Sequence, residues 1–220
     1  MLSPLQHRVA RIVAGLPEAR DFALAGGAAL IVLGKIDRRT HDLDFFGLNA
    51  EAVDLLAPVV EAALRSDGLV VRSVRQSHGF VRSIVESHDD RTELDLAADA
   101  RLLPAVPGKP APTLALEELA IDKVLAVFGR AEARDFVDLA ALEPQFGLDQ
   151  LLEMAREKDP GFRADIFVEM LDRFDRLRRD EFDVSDDRHA ELNEVIRSWR
   201  RRAVDSAGQE PSIMGPAAEP

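Results

Sequence analysis

The sequence predicts an α+β chain, with a mixed sheet and flanking helices first and a C-terminal helical bundle after it. Three observations predict this. Apolar and polar residues alternate with a period of two in "HDLDFFG" and "TELDLAAD", which is the signature of half-buried strands. From residue 114 onward the apolar residues recur at helical spacing instead. Between the two regimes, "LPAVPGKPAPT" gathers four prolines, which stop regular structure. These features set an α/β domain at 1–103, a Pro-rich linker at 104–112, a helical domain at 113–204 and a disordered tail at 205–220.

The elements follow in order. "SPLQ" is a capping box with Pro4 at the first helical position, and Leu5, Val9, Ile12, Val13 and Leu16 make one apolar stripe. "FALAGG" reads as a short strand entering a Gly-Gly turn, and "AALIVLG" as a helix. Asn49 caps a helix that ends near Gly68, with Pro58 as a point of kinking. The stretch from Leu69 to Asp99 is strand-rich, with "SHDDRT" turning between two strands. "LALEELAIDKVLAVFG", "AEARDFVDLAALEPQ", "LDQLLEMAREKD", "GFRADIFVEMLDRFDRLRRD" and "SDDRHAELNEVIRSWRRRAV" all read as helical. The last stretch is small, polar and rich in Pro and Gly, as disordered segments are.

Composition excludes several chemistries. The chain has 220 residues, 46% of them hydrophobic, enough for one or two cores. It has no Cys, so disulfides, thiolate zinc sites and Cys nucleophiles are excluded. The N-terminal segment is interrupted by His7, Arg8 and Arg11 and is not a secretory signal, and no apolar run is long enough to span a membrane. The expected location is the cytoplasm. The net charge of −12 argues against a generic polyanion binder, so a nucleic acid would need a local basic surface or a divalent metal. "RLRR" at Arg176–Arg179 and "RSWRRR" at Arg197–Arg202 are candidates for that surface, with Trp199 able to stack on a base or simply to fill a core.

The chemistry concentrates in two places. Side chains i and i+2 of a strand share a face, so Asp42 and Asp44 project together while Leu43 and Phe45 point into a core. Adjacent carboxylates repel unless a cation lies between them, and a hard cation such as Mg²⁺ takes oxygen ligands. A lone D-x-D is more often a solvated strand edge. Here Gly26 and Gly27 lie upstream, where the lack of a Cβ lets backbone approach a phosphate, although an ordinary tight turn looks the same. Downstream, Glu93 and Asp95 share a strand face, and Asp95 can complete a three-carboxylate cluster if its strand neighbours that of Asp42 and Asp44. The second place is "DKVLAVFGRAEARDFVDL". Lys123, Arg130, Arg134 and Asp138 share a face if the helix is continuous, whereas Gly129 allows two helices meeting at a bend. The plainer reading is a salt-bridged surface in which Arg134 pairs with Asp138.

A glycine pair, a D-x-D strand and a later strand carboxylate together resemble the nucleotidyltransferase superfamily of DNA polymerase β. More closely, the chain resembles the AbiEii/AbiGii-type toxin nucleotidyltransferases. One signature is Gly26, Gly27, Ala28, Ala29 and Leu30, followed by Arg38, Thr40, Asp42, Leu43 and Asp44. The other is Lys123, Ala126, Arg130, Arg134, Asp135, Asp138 and Leu139, in register. The resemblance covers residues 20–142, and His41 departs from it without an evident role.

The resemblance implies a polymerase β-like core and an Mg²⁺-dependent enzyme with a two-metal site. Such an enzyme transfers a nucleoside monophosphate from an NTP and releases pyrophosphate. Asp42 and Asp44 would hold metal, and Asp95 would complete the site or help deprotonate the attacking hydroxyl. Gly26, Gly27, Ala28, Arg38 and Thr40 would line the nucleotide phosphates. Lys123 would meet the triphosphate, with Arg130, Arg134, Asp135 and Asp138 around it or around the base. The implied acceptor is RNA, foremost the tRNA acceptor end, and the implied partner is a cognate antitoxin. A protein or small-molecule hydroxyl would use the same chemistry, and a nucleotide-binding protein without turnover is the alternative of another class.

Overall fold

The computed structural model describes residues 1–207. It forms two compact units, residues 1–122 and 123 onward.

The first unit is built on a five-stranded mixed sheet. Its strands are β1 (Ala23–Ala25), β2 (Asp42–Gly47), β3 (Val70–Ser77), β4 (Phe80–Glu86) and β5 (Arg91–Ala98), in the spatial order β1-β2-β5-β4-β3. Only β2 and β5 run parallel. The helices are α1 (Pro4–Ala14), α2 (Gly26–Val32) and α3 (Ala50–Ser66). The Ser3–Gln6 capping box starts α1, and Asn49 caps α3. Pro58 sits inside α3, which continues through it. Alternation sets the faces of β2: Leu43 and Phe45 are buried, while Asp42, Asp44 and Phe46 on the other face are half-buried.

Three local features differ from the sequence expectation. Gly26 and Gly27 make no separate turn; they are the first two residues of α2. The strand-rich stretch holds a second hairpin, in which His78 and Gly79 link β3 to β4. Gly79 has φ +73°, so the tight turn depends on glycine there. The Pro-rich segment is not a free linker. Leu24 N–H donates to Pro112 O at 2.8 Å, Leu114 N–H donates to Leu24 O at 2.9 Å, and Val106 and Thr113 exchange backbone bonds. Prolines lack an N–H, but their carbonyls and the intervening residues still pair, so the segment packs beside β1 in the first unit. The units divide at Asp122 and Lys123, inside α4 (Leu116–Gly129), rather than at the prolines.

The second unit contains the rest of α4 with α5 (Ala133–Phe146), α6 (Leu148–Lys158), α7 (Ala164–Leu171) and α8 (Asp186–Ala207). Its core includes Phe136, Phe167, Phe174, Phe182 and Trp199. The helix expected across 161–180 stops at Leu171 and gives way to two short 3-10 turns. There Phe174 lies edge-on to Phe136 at 5.4 Å and stacks on His189 at 5.7 Å, while Phe182 packs against both Phe174 and His189. Burying these rings outweighs local helix propensity. The segment 205–207 continues α8, and the remainder of the expected tail lies outside the described residues.

Candidate active site

In the first unit, register assembles the acidic cluster. Parallel pairing sets Asp42 beside Glu93 and Asp44 beside Asp95. Antiparallel pairing then sets Arg82 beside Asp95 and Ala25 beside Asp44. One row across the sheet therefore reads Ala25, Asp44, Asp95, Arg82. The Arg82 guanidinium grips Asp95 through two bonds, Nε to Oδ1 at 2.8 Å and Nη2 to Oδ2 at 2.6 Å, and lies 3.5 Å from Glu93. The Asp95 bonds, with Glu93 and Asp44 nearby, raise the Arg82 pKa still further. Sequence reasoning did not single out Arg82, because its partners lie one strand away.

The glycine pair meets this cluster directly. Gly26 has φ +59°, and a Cβ there would collide with the Asp44 carboxylate. Glycine is required at this position for both reasons. A Cβ on Gly27 would come within 2.9 Å of Arg38 Nη2 and 3.2 Å of Thr40 Oγ1. Thr40 Oγ1 in turn donates to Asp42 Oδ1 at 2.5 Å. Gly26, Gly27, Arg38, Thr40, Asp42 and Asp44 thus form one continuous patch. Ala28 lies next to it but is fully buried in α2. His41 is exposed, and its carbonyl accepts from Glu93 N–H and Thr92 Oγ1.

The expected three-carboxylate metal cage is not gathered. Among the described residues, no group of three His, Asp or Glu side chains is arranged to hold a metal ion. Asp95 shares a row with Asp44, but both its oxygens are taken by Arg82. Asp42 and Asp44 fit a hard divalent cation better, because they are half-exposed oxygen donors on one strand face with a Cβ-free backbone beside them.

The second unit holds the other constellation. Helices α4 and α5 meet at a bend that includes Ala131, which has φ +48°. Lys123 Nζ lies 2.8 Å from Asp138 Oδ2 and 3.6 Å from Asp135 Oδ1. Arg130 makes two 2.9 Å bonds to Asp135. Lys123, Asp135 and Asp138 are buried. Burial pushes the Asp135 carboxyl up, but the Arg130 bonds and the Lys123 and Arg134 charges outweigh it, and its pKa falls below the ordinary 3.8. Arg134 pairs with Glu132 at 2.9 Å at the surface.

The two clusters follow one another along the chain in the order of the two motifs. The model of the nucleotidyl transferase AbiEii toxin family, of type IV toxin–antitoxin systems, matches residues 11–212. The chain belongs to this family. It is a nucleotidyltransferase. No curated protein sequence matches it. Among solved structures, it is similar to JHP933 from Helicobacter pylori, with 18% identity over 94% of this chain and 97% of that one and a TM-score of 0.53. A putative nucleotidyltransferase from H. pylori is also 18% identical, with coverage of 92% and 96% and a TM-score of 0.55. These two share the fold. MenT4, a nucleotidyltransferase toxin from Mycobacterium tuberculosis, is more distant, at 16% identity over 93% of this chain and 90% of that one with a TM-score of 0.45.

The basic stretches expected to receive RNA are largely neutralised within the second unit. Arg178 pairs with Asp180, Arg179 with Asp186 at 2.8 Å, and Arg197 with Glu194 at 3.2 Å. Arg200 bridges Asp172 and Asp175, and Arg202 bridges Glu143 and Asp149. Trp199 is 1% exposed, so it is a core residue and offers no face to a base. No helix among the described residues is long and apolar enough to cross a membrane.

Proposed function

We propose that this nucleotidyltransferase transfers a nucleoside monophosphate from an NTP to an RNA hydroxyl, foremost the tRNA acceptor end. In this reading it acts in the cytoplasm as a growth-inhibiting toxin held in check by a cognate antitoxin. The observation that supports it most is the contact of Gly26 with the Asp44 carboxylate, beside Asp42 on the same strand face.

In the transfer, the acceptor oxygen forms a bond to the α-phosphorus, the bond to the β-phosphate oxygen breaks, and pyrophosphate leaves with the displaced electron pair. The acceptor proton passes to solvent. Asp42 and Asp44 would hold Mg²⁺, which neutralises phosphate charge and lowers the pKa of a bound hydroxyl. Thr40 fixes one Asp42 oxygen through its hydroxyl. Arg38, whose guanidinium lies beside Gly27, would take a phosphate oxygen. Arg82 fixes the Asp95 carboxylate through two bonds, in the row it shares with Asp44. Family resemblance assigns Lys123 to the triphosphate, with Asp135 and Asp138 fixing its ammonium.

The test is incubation of the protein with Mg²⁺, total bacterial tRNA and each α-labelled NTP, beside Asp42→Ala. Label on RNA with the wild type alone is the expected result. Label on protein or on an added aminoglycoside, with none on RNA, would overturn the choice of acceptor.

A further inference from the structure

Most arginines of the two stretches prominent in the sequence are paired within the helical unit, and a different set of arginines lies on the sheet that carries Asp42 and Asp44. It comes from the β3–β4 hairpin at the sheet edge. The row that carries Asp44, Asp95 and Arg82 continues to Arg75 of β3. The neighbouring row, from Asp42 and Glu93, continues through Ile84 to Arg72. In a regular strand, residues 72 and 75 would point to opposite faces. The register shifts between Ser73 and Arg75, so Val74 is an inserted residue. This bulge returns Arg75 to the face that Arg72 already shares with Arg82 and the carboxylates, as bulges near active sites re-aim side chains.

Both side chains are exposed, and among the described residues neither Arg72 nor Arg75 is in an ion pair. Phe80, on the same face, lies 5.4 Å from the Arg75 guanidinium and 5.9 Å from that of Arg82. The turn is held in place by α3: Asp54 accepts from Gly79 N–H at 3.1 Å and pairs with His78 at 2.7 Å. On a chain of net charge −12, this gathers unspent positive charge and an aromatic ring on the active-site face.

We propose that Arg72, Arg75 and Phe80 form the docking ridge for the single-stranded end of the acceptor RNA, leading it along the sheet toward Asp44. This rests on the reading of RNA as acceptor. A ridge of arginines tracks phosphates, and a ring flanked by guanidinium planes receives a base. Arginines on an edge strand also guard against strand pairing. The bulge serves that guard too, and it also brings both arginines to the face of the carboxylates.

The experiment uses the full chain, Arg72→Ala/Arg75→Ala, Phe80→Leu and Arg72→Lys/Arg75→Lys. Binding of a fluorescein-labelled single-stranded RNA of roughly 12 nucleotides is followed by anisotropy against salt. Steady-state transfer is measured with NTP and RNA varied separately. The double alanine variant should raise the RNA KM about tenfold, leave kcat and the NTP KM unchanged, and flatten the log K against log salt slope by roughly 1.4. The lysine variant should restore the slope. Phe80→Leu should weaken binding about tenfold without changing the slope. Wild-type transfer to RNA with an unaltered RNA KM in the alanine variant would overturn the ridge and leave the acceptor reading standing. The same holds if that variant merely self-associates, or loses a co-purifying protein while RNA binding persists. No transfer to RNA by the wild type would overturn both.

Discussion

The two charge clusters of this enzyme are built from the same residue types and behave differently. On the sheet, Asp42 and Asp44 are half-exposed, with Arg82 committed to Asp95 one strand away. In the helical unit, Lys123 and Arg130 face Asp135 and Asp138, two cations against two anions, with Lys123 and both acids buried. The first cluster stands at the solvent boundary, where its carboxylates stay accessible. The second satisfies itself. Low dielectric explains the contrast, since a buried charge without a partner is too costly to keep, whereas water shares in solvating a half-exposed carboxylate.

Substitutions in the sheet cluster should act on activity far more than on stability. Asp44→Ala should lower transfer by about a thousandfold or more while leaving the urea midpoint within experimental error, because several kcal/mol of charge stabilisation is lost from a half-solvated position. Inducible expression should arrest growth with the wild type and not with this variant. Gly26→Ala should lower transfer nearly as much through Asp44, and should also cost about 1–3 kcal/mol of stability, because a Cβ is strained at φ +59° and collides with the carboxylate. Normal activity in Gly26→Ala would show that the Asp44 position is not critical.

Lys123→Met should have the opposite signature. It removes the ammonium from buried Asp138, while Asp135 keeps Arg130, and should cost about 3–5 kcal/mol in urea unfolding. Adding Asp138→Leu should return much of that stability. Transfer that stays absent in the stable double variant would assign Lys123 to the nucleotide, and recovered transfer would make the cluster purely structural.

Much of the sheet site was legible because it is local. The i, i+2 rule placed Asp42 with Asp44 and Glu93 with Asp95 from a few residues of sequence. Arg82 was not legible, since its pairing depends on the register of two other strands. The Arg72–Arg75 pair was hidden for a sharper reason: a spacing of three assigns them to opposite faces, and only the bulge at Val74 reverses that. In the helical unit the failures have the same root. The arginines of 176–179 and 197–202 look like a basic surface when counted along the chain, but their partners Glu143, Asp149, Asp172 and Asp186 come from other segments. The Pro-rich stretch suggested a linker because prolines break ladders, while the backbone around them found partners in β1.

Acid tests the buried cluster more gently. The Asp135 pKa is lowered from 3.8, so its ionised form stabilises the fold fully above that value, and the contribution is lost as pH falls through the folded pKa. The wild type should therefore lose stability below about pH 4 more steeply than Asp135→Asn, compared as slopes of unfolding free energy against pH. Equal slopes would mean that Asp135 does not carry the acid sensitivity of this unit.

The smallest effect should come from the surface arginines of the helical unit. Arg178 is well exposed and pairs with Asp180, two residues along the chain. Solvent screens such a pair, and two mobile side chains lose entropy in forming it, so Arg178→Ala should shift stability by less than ~1 kcal/mol. Its effect on RNA should be equally slight, because the guanidinium is already matched by a carboxylate and releases few counterions on meeting a phosphate. Arg178→Ala and Arg72→Ala/Arg75→Ala therefore form a matched pair for one binding titration. A variant at Arg178 that weakens RNA binding as much as the edge pair would mean that intramolecular ion pairs open on contact with RNA, and that the helical unit supplies part of the acceptor surface.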